Sequence, residues 1–114
     1  MFGTDDGTLS VKKANYNGTG EHPVPVRSYP SNPYGLYDLS GNVGEWCLDW
    51  FGSYAPDDPQ YMFGIPKNTY RVIRGGSWNL FAFHCRAAYR NFDLPFGAAD
   101  YLGFRVVRRS SSGQ

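Results

Sequence analysis

The sequence has almost no net charge and no long apolar segment. Its 11 lysines and arginines are balanced by 10 aspartates and glutamates, which leaves a formal charge of +1. So small a charge excludes the basic footprint of a nucleic-acid-binding domain or of a protein drawn to anionic membranes. There is no apolar run of the about 18 residues that span a bilayer, and no signal-peptide pattern. We therefore expect a soluble chain with no nucleic-acid partner and no membrane insertion, and the sequence assigns it no location.

Cysteine is also scarce. Cys47 and Cys85 are too few for a disulfide scaffold, and neither has a second cysteine or a histidine at a zinc-finger spacing. His84 and Cys85 are neighbours, and in a strand they would point to opposite faces, which disfavours a nucleophile and base pair. Ser77 lacks the G-x-S-x-G surroundings of a nucleophilic serine. We expect free thiols and no hydrolytic machinery.

Glycine, proline and aromatic residues are abundant instead. The chain has 14 glycines and 8 prolines, and aromatic residues make up 18% of it. Good helix formers are few, and turn residues interrupt the sequence every few positions. This composition predicts a single loop-rich domain over 1–109 with short strands, followed by a disordered tail over 110–114.

Three segments have strand patterns. In 35–51, the turn signal Ser40-Gly41-Asn42 separates two apolar runs and predicts a strand, a tight turn and a second strand. The segment "YRVIRGGSW" predicts a strand that ends at two glycines. The segment "YLGFRVVRR" places Leu102, Phe104 and Val106 on one face and predicts a further strand.

Two carboxylates flank the turn at 40–42. Asp38 and Glu45, with the main-chain oxygens that a tight turn exposes, are the hard oxygen ligands that calcium prefers. Alternatively, Asp38 caps the turn through its side chain and Glu45 pairs with an arginine. No complete calcium-loop signature is present, so the residues alone favour the second interpretation and leave the first open.

Three arginines lie among bulky aromatic residues. Arg86, Arg90 and Arg105 are expected to stack on rings and to bond carboxylates or carbonyls through their planar guanidinium groups. Binding of an anionic ligand is the alternative.

Four motifs together resemble a known family. "NPYGLYDLSGNVGEWCLDWF", "RVIRGGSW", the Arg86-Ala87-Ala88-x-Arg90 run and "LGFRVV" are similar to the formylglycine-generating-enzyme (sulfatase-modifying factor) type of C-type lectin domain. The resemblance implies an α+β fold, loop-rich with a small twisted antiparallel sheet. It also implies a structural calcium site at Asp38, Glu45 and the main-chain oxygens of Gly41 and Val43. A second calcium site would use Asn15 and the carbonyl of Tyr16.

The chain departs from this family in two ways. The upstream part of the family's domain is missing, so we expect a short, N-terminally truncated version. The copper-binding cysteine pair of the family's enzymes, spaced C-x4-C, matches Ala82 and Ala87 here, and Cys85 is at neither position. Alanine cannot supply the soft thiolates that copper needs. We therefore expect no copper. The iron-dependent relatives of this family hold their metal largely in another domain, so we expect no catalysis by that route either.

A further resemblance concerns 79–101. The same fold serves as the variable protein of diversity-generating retroelements, whose template is rich in AAC (Asn) codons and is copied with errors at adenines. No Trp, Glu, Gln, Lys or Met, which NNC codons cannot encode, occurs in 79–101. The residues at or near the Asn-rich template positions, all with NNC codons and here named the variable set, are Leu80, Phe81, Phe83, His84, Tyr89, Phe92, Asp93, Leu94, Phe96, Gly97, Ala99, Asp100 and Tyr101.

Three hypotheses follow. In the first, the variable set binds a protein or other macromolecular ligand, with display on a phage or cell surface as one setting. In the second, the chain is a truncated formylglycine-generating-type oxidase. In the third, it is a structural domain of the same fold that is not diversified, and its aromatic residues form its core. Burial of Phe81, Phe83, Phe92, Phe96 and Tyr101 would favour the third hypothesis over the first.

Overall fold

A mixed four-stranded sheet organises the chain. The computed structural model describes residues 1–17, 21–52, 61–62, 65–66 and 68–108. The strands and the single 3-10 helix of these residues are β1 (Gly44–Trp50), β2 (Tyr61–Met62), β3 (Ile65–Pro66), β4 (Arg71–Arg74), the 3-10 helix (Ala82–Cys85), β5 (Asn91–Asp93) and β6 (Leu102–Gly103).

Strand β1 lies in the interior of the sheet, whose order is β5-β4-β1-β6. It pairs antiparallel with β4, where Glu45 is opposite Arg74, and the register shifts between Trp46 and Trp50. On its other side it pairs parallel with β6, where Glu45 is opposite Gly103. Strand β5 pairs antiparallel with β4. The predicted α+β, loop-rich C-type lectin fold is confirmed, with one of these three pairings parallel.

The core is small and partly polar. Val72 and Ile73 of β4 are 1% and 5% exposed, and Ala14 and Cys85 are also buried. A comparable number of polar side chains is buried with them: Thr4, Asn15, Asn32, Ser40, Asn42 and Ser77. Buried polar groups need hydrogen-bond partners, so these side chains tie loops to one another where apolar packing is sparse.

The predicted strand before the turn at 40–42 was wrong, because 36–38 has no regular secondary structure, 39–43 is bend, and only β1 follows. Asp38 and Asn42 have φ values of 55° and 66°, in the left-handed region that an extended strand excludes. The side chain of Asn32 also accepts hydrogen bonds from the amides of Tyr34 and Leu36, which curls the chain at that point.

The predicted strand over "YLGFRVVRR" is much shorter than expected. Only Leu102–Gly103 pairs with β1, and Phe104, Val106 and Val107 are exposed. An alternating pattern requires a layer that covers its apolar face, and no such layer lies over these residues within the described part of the chain. The predicted tail over 110–114 lies outside the described residues, and the domain boundaries stay a prediction.

Among the described residues, no helix is long and apolar enough to cross a membrane.

Candidate functional site

A cleft of about 340 Å³ opens between β4, β5, the 3-10 helix and the loop before β6. Five members of the variable set line it: Leu80, His84, Phe92, Asp93 and Tyr101. Residues outside that set complete the lining: Gly44, Ile73, Gly76, Ser77, Asn79, Asn91 and Leu102. The register of β5 on β4 sets Phe92 opposite Val72, and so brings the second half of 79–101, here called the variable segment, against the sheet.

Four rings of the variable set form a cluster beside the cleft. The ring centroids of Phe83 and His84 are 3.9 Å apart, and Tyr89 lies edge-on to both. Phe81 completes this ring cluster, 6.4 Å from Phe83. The Nδ1 atom of His84 accepts a hydrogen bond from the amide of Phe81, which closes the first turn of the 3-10 helix.

The aromatic residues of the variable set are not core residues. The exposed fractions are 59% for Phe81, 52% for Phe83, 43% for Phe92, 81% for Phe96 and 37% for Tyr101. The third hypothesis required these rings to be buried. Their exposure argues against the third hypothesis.

The rest of the variable set is divided between edge and surface. Tyr89, Leu94 and Gly97 are half-buried, while Ala99 and Asp100 are exposed. Phe92 packs against Phe51 and Tyr70, with centroid distances of 4.5 and 5.0 Å. Sequence patterns do not reveal this contact, because Phe51 and Tyr70 stand at the ends of two different motifs and their approach to Phe92 depends on the pairing of β5 with β4.

The backbone of the variable segment is held by groups outside the variable set. The bonds have donors in the scaffold and acceptors among the main-chain carbonyls of 80–101. They run from Asn17 N to Leu80 O (2.8 Å), Ser40 Oγ to Cys85 O (2.7 Å), Trp78 Nε1 to Asp100 O (3.3 Å) and Gly44 N to Tyr101 O (2.7 Å). None of these bonds uses a side chain of the variable set, so those side chains can change without loss of the anchors.

The cysteines have the properties of structural thiols. Cys85 is fully buried at the end of the 3-10 helix, and burial raises the pKa of its thiol. Cys47 is half-buried, and desolvation likewise raises the pKa of its thiol. A thiolate is the reactive form, so neither cysteine is activated. His84 and Cys85 lie on a 3-10 helix and not in the strand that the sequence suggested. Ala82 and Ala87 are exposed, and their side chains supply no metal ligand.

Glu45 is paired with an arginine. Its two carboxylate oxygens accept hydrogen bonds from Arg105 Nε and Nη2, at 2.6 and 2.8 Å, and Arg105 also donates to the carbonyl of Tyr37. The carboxylate of Asp38 accepts a bond from the amide of Arg27. This pairing fits calcium at Asp38, Gly41, Val43 and Glu45 poorly, because a guanidinium already neutralises Glu45. Calcium there stays a prediction.

Asn15 has an unsatisfied oxygen. Its Nδ2 atom donates to the carbonyl of His22, but its Oδ1 atom is buried and has no partner among the described residues. An orphaned amide oxygen is a suitable hard ligand. It fits the second calcium site that the family resemblance implies at Asn15 and Tyr16, a site that also stays a prediction.

The other two arginines make the contacts expected of packing residues. Arg86 lies 5.9 Å from the ring centroid of Tyr89 and donates to the carbonyl of Phe83. Arg90 lies 5.0 Å from the ring of Phe51 and donates to the carbonyl of Gly52. The expectation that these side chains stack on rings and bond carbonyls is confirmed.

We expect Arg105→Ala to lower the free energy of unfolding by about 2 kcal/mol, because the carboxylate of Glu45, only 18% exposed, would lose its partner. The hydrogen bonds to Glu45 also raise the pKa of Arg105, so its guanidinium keeps its charge as the pH rises. Urea denaturation followed by tryptophan fluorescence measures the change. Arg108→Ala, at an exposed arginine close by in the sequence, should stay within about 0.5 kcal/mol. Equal effects of the two substitutions would contradict the prediction.

A loop-rich α+β scaffold of the C-type lectin type thus presents a cleft and an exposed ring cluster on one segment. The chain belongs to the sulfatase-modifying factor enzyme 1-like domain family, whose model matches residues 6–110.

Relatives and solved structures agree with this assignment. Serine/threonine-protein kinase pkn1 of Chlamydia caviae is 38% identical over 108 residues, which cover 86% of this chain and 16% of that protein. Formylglycine-generating enzyme of Thermomonospora curvata is 37% identical over 110 residues, 89% of this chain and 36% of the enzyme. Among solved structures, Treponema denticola variable protein 1 superposes with a TM-score of 0.70 at 34% identity, over 86% of this chain and 38% of that one.

The chain therefore spans between 16% and 38% of the length of these three proteins.

Proposed function

We propose that this chain is a non-catalytic, ligand-binding domain whose variable set forms a diversified, aromatic-rich surface for a protein or other macromolecular ligand. The observation that carries the proposal is the division of roles within 79–101. Scaffold groups hold the backbone, while the side chains of the variable set are exposed or line the cleft.

The chemistry of the variable set suits recognition. Phenylalanine and tyrosine give a large contact area and lose little side-chain entropy when they bind, while glycine, alanine and aspartate adapt the surroundings. Soluble monomers rarely expose so many large apolar side chains together. Phe81 and Phe96 are the most exposed of these rings and would gain most from a partner.

The similarity to Treponema denticola variable protein 1 supports this proposal over an enzymatic one. Because formylglycine-generating enzymes are among the relatives, a truncated oxidase is the alternative function. Against it stand the alanines at 82 and 87 and the elevated pKa of the buried Cys85 thiol. A copper titration that revealed tight binding would restore the alternative.

The proposal is tested by two libraries displayed on yeast. In the first, every position of the variable set is encoded by NNC codons. In the second, the same codons replace the anchoring positions Asn17, Ser40, Asn42, Gly44, Arg74, Gly76, Ser77 and Trp78. We expect most clones of the first library and few of the second to resist protease. Only the second removes the side-chain bonds of Ser40, Asn42 and Trp78 and places side chains at Gly44 and Gly76, where a Cβ atom would clash.

The gene itself provides the second half of this test. We expect an adenine-rich near-copy of 79–101 and a reverse-transcriptase gene beside it, and natural variants that differ mainly at the variable set. Equal protease sensitivity of the two libraries, or a locus without the near-copy and the reverse transcriptase, would overturn the proposal.

A further inference from the structure

The cleft has a single formal charge, and that charge is negative. Of its twelve lining residues only Asp93 is acidic, and none is lysine or arginine. The carboxylate of Asp93 is half-buried, and its Oδ1 atom accepts a hydrogen bond from the amide of Leu94 at 2.7 Å. No ion pair to Asp93 occurs within the described ranges of the chain.

The cations nearest to Asp93 along the sheet are committed elsewhere. Arg71 is the cross-strand partner of Asp93 in the β4 and β5 pairing. Its guanidinium nevertheless lies over the ring of Trp50, 3.7 Å from the centroid, and donates to the carbonyl of Leu48. Arg90, three residues before Asp93, lies over Phe51. Among the described residues, the half-buried carboxylate of Asp93 therefore has no counter-ion, and such a position favours an external cation.

The walls of the cleft also suit a cationic group. Phe92 and Tyr101 contribute aromatic rings, whose faces attract ammonium and guanidinium groups. Leu80, Ile73 and Leu102 offer apolar surface for a methylene stem. A volume of about 340 Å³ is at the lower end of ligand cavities, which suits one long side chain and its neighbours. An anionic ligand would instead meet Asp93 without any basic residue in the lining.

We infer that the cleft binds a basic side chain, the ammonium of a lysine or the guanidinium of an arginine projecting from the macromolecular ligand. Asp93 supplies the counter-charge, and Phe92 and Tyr101 supply the aromatic walls. This inference rests on the proposed function and deepens it, because it states which chemical group of the ligand enters the cleft.

Four capped amino acids serve as probes in an NMR titration of the isotope-labelled chain. They are the N-acetyl methylamides of arginine, lysine, norleucine and glutamate. We expect the arginine and lysine probes to shift the resonances of Asp93, Phe92 and Tyr101 in a saturable way, at about millimolar dissociation constants. Norleucine, which has an apolar side chain and no charge, should bind at least about tenfold more weakly, and glutamate should not bind.

Asp93→Asn removes the charge and keeps the oxygen that accepts the bond from Leu94. We expect this substitution to raise the dissociation constant of the arginine probe at least about tenfold. Asp49→Asn, at an exposed aspartate of β1 that is outside both the variable set and the cleft lining, is the matched control and should change little. If Asp93→Asn fails to fold, the wild-type titration still decides, since 1 M salt should weaken binding of the cations and not that of norleucine.

Equal binding of norleucine and arginine, or an Asp93→Asn variant that binds arginine as the wild type does, would overturn the inference. That failure is distinct from failure of the proposed function, which is decided by the two libraries and by the gene. If the gene proves to be diversified but the cleft does not bind the arginine and lysine probes, only the inference about the group that enters the cleft is refuted.

Discussion

Replacing Gly76 with alanine should lower the free energy of unfolding by about 4 kcal/mol, enough to unfold a marginally stable domain. Gly76 has a φ of +72°, and a Cβ atom there would lie 2.5 Å from Cys85 Sγ and 3.0 Å from Cys85 Cα. The left-handed conformation costs an alanine about 1–2 kcal/mol, and overpacking adds about 1–3 kcal/mol. Circular dichroism during urea denaturation measures the loss.

The chain contains a matched control for this substitution. Gly35 has a φ of +77°, but a Cβ atom there would meet nothing within 4 Å. We expect Gly35→Ala to cost only the conformational part, about 1 kcal/mol. Adding Cys85→Ala to Gly76→Ala should recover part of the loss, because Sγ is removed and the backbone of Cys85 stays. Equal losses for the two glycine substitutions would show that contact with the 3-10 helix is not the reason Gly76 is required.

The second large effect is expected at Asn42, where Asn42→Ala should lower the free energy of unfolding by about 3 kcal/mol. The Oδ1 atom of Asn42 accepts a bond from the amide of Val24, and its Nδ2 atom donates to the carbonyl of Val24. Asn42 is buried, so both groups of Val24 would lose a partner where water has little access. Its φ of 66° also suits asparagine better than alanine.

Asn17→Ala isolates the backbone part of this effect. Asn17 has a φ of 57° and is exposed, so its replacement should cost about 1 kcal/mol. Asn42→Asp keeps the bond from the amide of Val24 but turns an oxygen towards the carbonyl, so it should recover little of the loss. The prediction fails if Asn42→Ala and Asn17→Ala give the same midpoint of urea denaturation.

Local signals in the sequence were sufficient for part of the fold. The segment "YRVIRGGSW" predicts β4, because a short apolar run ends at two glycines whose positive φ angles stop the strand. The family motifs likewise predict the fold around Asn42 and Glu45. The side chains of these two residues make specific hydrogen bonds to residues that are distant in the sequence.

Features that depend on distant partners could not be predicted. The pairing of Glu45 with Arg105 joins residues far apart in the sequence. The sequence predicts that Glu45 pairs with an arginine but does not identify which arginine. The cleft arises because β5 pairs with β4, a register that no local pattern encodes. The same limit explains the failure at Phe104 and Val106. An apolar alternation cannot reveal whether anything covers it.

Glu45 also determines how the variable segment is held. It pairs with Arg74 on one side and with Gly103 on the other, so the chain between those residues, which includes β5, begins and ends beside one position of β1. When the ends of a flexible loop are fixed in this way, each doubling of its length costs only about 0.6 kcal/mol. Insertions near Phe96, between the last residue of β5 and the first of β6, would therefore leave the strand pairing intact. The length and reach of the chain around Phe96 can thus change, as well as its side chains.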